Sequence, residues 1–440
     1  MRGALHAVAG QAIGKVVAVS AWTLLISTVA HRLSPSHFGQ FMLATNVAML
    51  AVLLGSFGQP QLILYVNGRL GGNHRTALHR ANSSRAALVT GGSAMIAAVG
   101  SALALSTVID RSLIAISVCA FAAWVLGATW QTLLAEEAKT VSRFWTAGLF
   151  GASGGAGGAI STVAALICLL VAVPVVRQST DLPDVLISLA IGTWASTATL
   201  IAFYLRDRPL ESIEPLAPQR APLTTREACR IGLIATFNAG LIFLIGQTDL
   251  WWSVVIFGIE TSGQYAIATY LARFCSLLTI LLSSAFAARF ASMLALEGKG
   301  ALSALIRRCA FLSVGAALVT AIGLAVASQV GILGSFFRLN DQDAVMAMLI
   351  LSIGHVVGSL FGFGPVVLGA SGRFADLLVI TAASAMLTAL LAAVASLTLG
   401  LAGLASAYAA GYVIFTYSCH RRCDSIMGIR PFHRAKSPTQ

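Results

Sequence analysis

Four ionisable side chains stand where this sequence can least accommodate them: Lys15, Asp249, Arg273 and His355. Each falls inside a long apolar stretch, where a charge costs about 2.5–3.5 kcal/mol on the insertion scale. A charge held at that cost points to work done inside a membrane. Asp249 and Arg273 fall on consecutive apolar stretches, each roughly 12–15 Å below the same membrane face at about 1.5 Å of rise per residue. Antiparallel neighbours at equal depth can bring them together. Two readings follow: a pair that neutralises itself, or a cationic group presented to a polar interior with Asp249 orienting it or competing with cargo. Lys15 lies about one turn inside the first stretch. Its stem either lets the ammonium reach back to the headgroups or places a positive charge at the inner mouth. His355 has no carboxylate within a helical turn, which suits hydrogen-bonded packing better than a proton relay. Gln11, Asn46, Gln59, Gln131, Asn238 and Gln247 are the neutral polar groups of the spans; they suit helix bridging or contact with sugar hydroxyls. Trp124, Trp130, Trp251 and Trp252 suit interfacial belts or carbohydrate stacking.

The elements that must position these residues are membrane helices. Of 440 residues, 57% are hydrophobic and only 10% charged, with mean hydropathy +0.85, whereas soluble domains carry about 25% charged residues. About twelve spans read as 10–31, 39–66, 86–109, 112–134, 147–173, 185–205, 231–257, 264–288, 309–333, 344–369, 374–399 and 401–419. With the N-terminus inside, about 23 of the 28 Lys and Arg residues fall in cytoplasmic segments. That alternation places both termini in the cytoplasm. Gly39-Gln40-Phe41-Met42-Leu43-Ala44-Thr45 echoes Gly263-Gln264-Tyr265-Ala266-Ile267-Ala268-Thr269. Six spans separate the copies, so the halves are parallel repeats. The expected fold is an all-α polytopic membrane protein with two six-helix bundles around a central cavity. The bundles occupy 1–205 and 231–440, the second with a basic cytoplasmic tail, and are joined by a Pro- and Arg-rich cytoplasmic linker over 206–230. Such paired bundles rock to expose a cavity alternately to each face.

Other classes are disfavoured. The net charge of +12 and pI near 9.9 come from residues beside apolar spans, which fits anionic inner-leaflet lipid rather than nucleic acid. No paired carboxylates or His clusters occupy the short outer loops, so no catalytic site is expected. Neither a metal nor another cofactor is expected: Cys419-His420-Arg421-Arg422-Cys423 offers a lone CxxxC, short of a four-ligand zinc site. Hydrophobicity runs on to Ala30, which fits a retained first helix better than a cleaved leader. Gly148–Gly158 (GLFGASGGAGG) lacks the Lys-Ser/Thr of a phosphate loop and suits close helix packing or a bendable helix. Gly362-Phe363-Gly364-Pro365 predicts a kink.

The turn His31-Arg32-Leu33-Ser34-Pro35-Ser36-His37-Phe38-Gly39-Gln40-Phe41 resembles the first external turn of polysaccharide and O-antigen flippases. These belong to the multidrug/oligosaccharidyl-lipid/polysaccharide exporter superfamily, which includes the MATE transporters. Asp249 with Gly263-Gln264-Tyr265 and Ala268 resembles that family's "D…VGxYxxA" stretch, and Gly400-Leu401-Ala402-Gly403-Leu404-Ala405 its late "GxxGxA" turn. The resemblance implies a V-shaped pair of six-helix bundles in a bacterial inner membrane. It implies flipping of a polyprenyl-diphosphate-linked oligosaccharide for surface or exopolysaccharide synthesis, with glycan polymerase or export proteins as possible partners. It also implies cationic residues gripping the diphosphate, Arg273 first and Lys15 second. A cation-coupled multidrug exporter of the same superfamily is the alternative. Against it, the N-terminal half offers only Asp110, Glu136 and Glu137, all at span ends. A scaffold for glycan-assembly enzymes is a third possibility.

Overall fold

The computed structural model describes all residues except 1, 61, 64–76, 108–113, 141–142, 152–156, 177–179, 207–223, 297–298 and 429–440. Most of the 206–230 linker and most of the basic tail lie outside the described residues. Among those described, every regular element is helical.

The first half holds α1 (Arg2–Arg32), α2 (Pro35–Ser56), α3 (Ala77–Ser106), α4 (Ile114–Thr140), α5 (Phe144–Phe150), α6 (Ala159–Ile167) and α7 (Leu182–Arg206). A π-helical turn, Cys168–Ala172, and a last turn, Val173–Val176, continue α6. The second half holds α8 (Thr225–Gln247), α9 (Asp249–Phe257), α10 (Ile259–Ala272), a 3-10 turn at Arg273–Ser276 and α11 (Leu277–Leu296). It continues with α12 (Lys299–Gln329), α13 (Ile332–Phe337), α14 (Gln342–Phe361), α15 (Gly364–Ala370) and α16 (Phe374–Met427).

Every expected span has a helix. Ten helices among the described residues are long and apolar enough to cross a bilayer, and two local features account for the difference from twelve. The fifth span is interrupted, ending as α5 at Phe150 and resuming as α6 at Ala159. The last two spans run together as α16, 54 residues long, jointed at Gly400 with φ 61° and ψ −142°. Only glycine adopts that conformation without strain. The expected kink is present, with α14 stopping at Phe361 and α15 resuming at Gly364.

The turn that carried the resemblance is helix-start chemistry. Ser34 caps α2, its Oγ accepting from the His37 N–H at 3.3 Å, and Pro35 occupies the first turn, where no N–H is required. Gly39 sits directly against the Ile259 carbonyl, and a Cβ on Gly263 would lie 3.3 Å from the Gly39 Cα. The leading glycines of the two echo copies thus touch, at a spacing that side chains would prevent.

By contacts the chain falls into two units: Met1–Phe243 with Phe257–Gly263, and Leu244–Ile256 with Gln264–Gln440. In the first, the two ends of the glycine run pack closely, while its middle, 152–156, lies outside the described residues. Gly148 meets the backbone of α1 at Gly14, and Gly158 lies on the Phe150 carbonyl. Fully buried Gln131 braces the resumption of the chain: its Nε2 donates to Ser196 Oγ at 2.7 Å and its Oε1 accepts from the Gly158 N–H at 3.4 Å. In the second unit, an apolar core gathers Phe290, Phe363, Leu302, Ile306, Cys419 and Cys423. There the Cys423 thiol donates to the Gly364 carbonyl at 3.5 Å, so the CxxxC pair serves packing.

Candidate functional site

The seventh expected span does not run straight. α8 ends at Gln247 and α9 starts at Asp249. A break at this depth frees backbone carbonyls with no water to satisfy them, and irregular backbone survives in a membrane only where protein groups or a polar lumen receive it. Here the second unit supplies the donors. Thr248 Oγ1 donates to the Leu244 carbonyl at 2.6 Å, and the Arg273 guanidinium donates to the Gly246 carbonyl at 2.7 Å. Arg273 itself opens a 3-10 turn, so both helices depart from α geometry where they meet.

Asp249, 1% exposed, accepts from its neighbour Leu250 N–H at 3.0 Å and from the Tyr265 hydroxyl at 3.3 Å. Thr248 and Tyr408 share a 2.6 Å hydrogen bond beside it. Asp249 and Arg273 lie within electrostatic reach of each other but form no ion pair within 4.0 Å. The two groups thus act on each other through space, without a direct hydrogen-bonded ion pair. The carboxylate is held by neutral donors, and the guanidinium is held by one carbonyl. A guanidinium carries five N–H donors, and among the described residues the Gly246 carbonyl is the one hydrogen-bond acceptor of the Arg273 side chain. Arg273 is partly exposed while Asp249 is sealed. His355 belongs to the same unit, its ring 5.0 Å from that of Tyr412, with Nδ1 buried and without a hydrogen-bond partner among the described residues.

The other sequence candidates are distributed more widely. Gln247 is the last residue of α8, partly buried and directly beside the break. Lys15 lies in α1 in the first unit, partly buried, within electrostatic reach of the Glu136–Lys139 ion pair on α4. Asn46 on α2 and Asn238 on α8 are buried in that unit as well, and neither they nor Gln247 lack an interaction partner. Gln11 lies on α1, with its side chain outside the described residues. Thus the structure gathers Asp249, Arg273 and Gln247 at one break.

Tyr265, Tyr408 and Thr248 complete that cluster, and reading the spans for charge alone misses them. For Tyr265 a signal existed. The 224-residue offset of the repeat, which also carries the start of α2 at Pro35 onto the start of α10 at Ile259, sets Asp249, Tyr265 and Arg273 against Leu25, Phe41 and Met49. Leu25 and Phe41 are fully buried in an apolar setting, Phe41 between Trp22 and Phe38 at 6.4 and 6.2 Å. Here α1 is unbroken from Arg2 to Arg32.

Solved structures share this fold. A MATE transporter in complex with MaL6 superposes with a TM-score of 0.69 at 12% identity, covering 96% of each chain. A mutant form of a Vibrio cholerae MATE transporter gives 0.66 at 13%, covering 96% of this chain and 97% of that one. A MOP-superfamily transporter from Pyrococcus furiosus, described as having a binding pocket of reversed polarity, gives 0.68 at 11%, covering 96% of each chain. The chain therefore has the MATE transporter fold, an all-helical, multi-pass membrane architecture of about twelve helices. No protein-family model matches it, and no curated protein does.

Proposed function

We propose that this protein is a bacterial inner-membrane transporter that flips a polyprenyl-diphosphate-linked oligosaccharide from the inner to the outer leaflet by alternating access. The observation that carries the reading is Arg273: a cation deep in a span, partly exposed, tied by one hydrogen bond to a carbonyl and making no ion pair within 4.0 Å with the carboxylate beside it. A diphosphate crossing the hydrocarbon region requires such a group, because its charge is costly unless met by charge-assisted hydrogen bonds, and the planar guanidinium supplies them in pairs. Asp249, held by Tyr265 and the Leu250 N–H, keeps a carboxyl group near Arg273 that competes with an anion for it and so limits how tightly the anion is retained. This matters because a permeating species must be bound weakly enough to leave again. Gln247, Gln11, Asn46 and Asn238 suit sugar hydroxyls, and Lys15 suits the headgroup at the inner leaflet. The lipid tail stays in the bilayer. The sequence resemblance to oligosaccharide-lipid flippases points the same way.

Deleting the gene should halt surface-glycan export and accumulate the lipid-linked intermediate on the inner leaflet; unchanged export overturns the reading. Arg273→Ala should lower export at least about tenfold at an unchanged membrane level, one order of magnitude corresponding to about 1.4 kcal/mol. Full activity would remove Arg273 from the site.

A second reading, a cation-coupled multidrug exporter, draws on the sealed Asp249 carboxylate. Efflux of a cationic dye that disappears in Asp249→Asn would favour it over glycan flipping.

A further inference from the structure

The end of α2 is built unlike any other helix end among the described residues of the first unit. Phe57, directly after the helix, takes the left-handed conformation at φ 46° and ψ 40°, and Gly58 follows at φ 63°. A bulky residue rarely adopts that geometry unless its surroundings compel it. Gln59, fully buried, donates from Nε2 to the Phe57 carbonyl at 3.1 Å, and its Oε1 is buried with no hydrogen-bond partner among the described residues.

Lying on this turn is α8. A Cβ on Gly232 would come within 2.6 Å of both Gln59 Nε2 and the Phe57 carbonyl; a Cβ on Gly58 would strike the Gly232 carbonyl and come within 2.8 Å of the Ala235 Cβ. Backbone meets backbone here, with the Gln59 amide and the Ala235 methyl at its edges, and a side chain at either glycine would collide. Beside it lies a cavity of about 10 Å³ lined by Gln59, Ile63, Asn82, Arg85 and Ala228. The helix that makes the contact stands on its own start signal. Thr224 Oγ1 accepts from the Glu227 N–H at 3.2 Å, while a Glu227 carboxylate oxygen accepts from the Thr224 N–H at 2.9 Å. Along the chain, α8 passes from the first unit into the second at Phe243–Leu244, just before the break that holds Arg273.

We propose that the first turns of α8 are a releasable strap, clasped on the α2 end at Gly58–Gly232 and lifted during the transport cycle. Three features favour a clasp over a permanent joint. Neither glycine brings a side chain of its own to be disentangled. The left-handed Phe57 and the Gln59 Oε1, which has no partner among the described residues, both burden the closed form, which keeps it near balance with an open one. The helix so held also runs on, along the chain, to the break at Thr248, so its release is felt there through continuous helix. The inference rests on the transporter fold and not on a glycan cargo.

The test uses the full-length protein in nanodiscs, with no cargo present. Gly232→Ala inserts a methyl group into the clasp, whereas Gly240→Ala, on the same helix with nothing within 4 Å of its added Cβ, is the control. Two readouts follow the strap. One is maleimide modification of partly buried Cys229, read by mass spectrometry; the other is the distance between spin labels carried on non-natural side chains at exposed Ser84 and Arg226. Gly232→Ala should raise the Cys229 rate at least tenfold and lengthen the label distance, with Gly240→Ala matching the parent. Gly232→Ala indistinguishable from Gly240→Ala in both readouts overturns the proposal. Should Gly232→Ala fail to fold, Ile63→Cys with Ala228→Cys, bridged by a short bis-maleimide, replaces it. Bridging should abolish the longer-distance population in the labelled protein, and a bridged protein with an unchanged distance distribution overturns the strap. Failure of the glycan reading would leave these results untouched, since no cargo enters them.

Discussion

Leu25, Phe41 and Met49 in the first unit occupy the repeat positions of Asp249, Tyr265 and Arg273 in the second. One copy is an apolar trio on an unbroken helix pair; the other is a polar trio at a break between α8 and α9. Since α2 and α10 begin at equivalent positions in both settings, the start of that helix does not depend on the polar groups. Local rules broken in one repeat and obeyed in the other mark function rather than folding. What the comparison teaches is where to look. In a chain with few intramembrane charges, the informative ones are those that the repeat shows to be dispensable for architecture.

The strongest way to break the comparison is to erase it. Asp249→Leu, Tyr265→Phe and Arg273→Met together should abolish glycan export while thermal stability in detergent is kept or raised, because replacing buried charges with apolar residues of similar volume is often neutral or stabilising. A triple variant that melts markedly lower would instead make the trio a structural plug for the Gly246 carbonyl. The reverse graft comes next in size. Leu25→Asp places a fully buried carboxylate with no break and no Tyr265 equivalent, and should cost about 2.5–3.5 kcal/mol, read as loss of membrane-inserted protein; Leu25→Asp combined with Phe41→Tyr should recover part of it. The smallest effect sharpens the roles within the trio. Tyr265→Phe removes one 3.3 Å bond to Asp249 and should lower stability by about 1 kcal/mol in chemical denaturation. A larger loss would mean that the hydroxyl holds more than the carboxylate.

Much of the architecture was legible because membrane helices obey a harsh rule. Every backbone polar group must be satisfied locally, so span length, alternation of basic loops and the GQF/GQY echo lead to twelve helical crossings. Glycines were legible as punctuation. The Gly362–Pro365 kink stands where expected, and Gly400 joints two expected spans into one 54-residue helix. Two features were not legible. Gly148–Gly158 gave no sign of how far its helix would be interrupted, because glycine permits both close packing and a break and the neighbours decide between them. Asp249 and Arg273 invited pairing at equal depth, yet which atoms answer them depends on a break that follows from no single residue near Thr248.

The sequence by itself determined that this chain is helical and crosses a bilayer about twelve times, since hydropathy and length are properties of the linear chain. Its charge placement and echo led to the expectation of like-oriented repeats with Arg273 and Asp249 at similar depth. Only the tertiary structure decided that the two charges are not cancelled by direct pairing. It set Tyr265 and the Leu250 N–H on the carboxylate, Gly246 on the guanidinium, and Gly58, just after α2, against Gly232 of α8. Hydrogen bonds and backbone approaches are settled within a few tenths of an ångström, and that precision arises only when helices distant in sequence pack together.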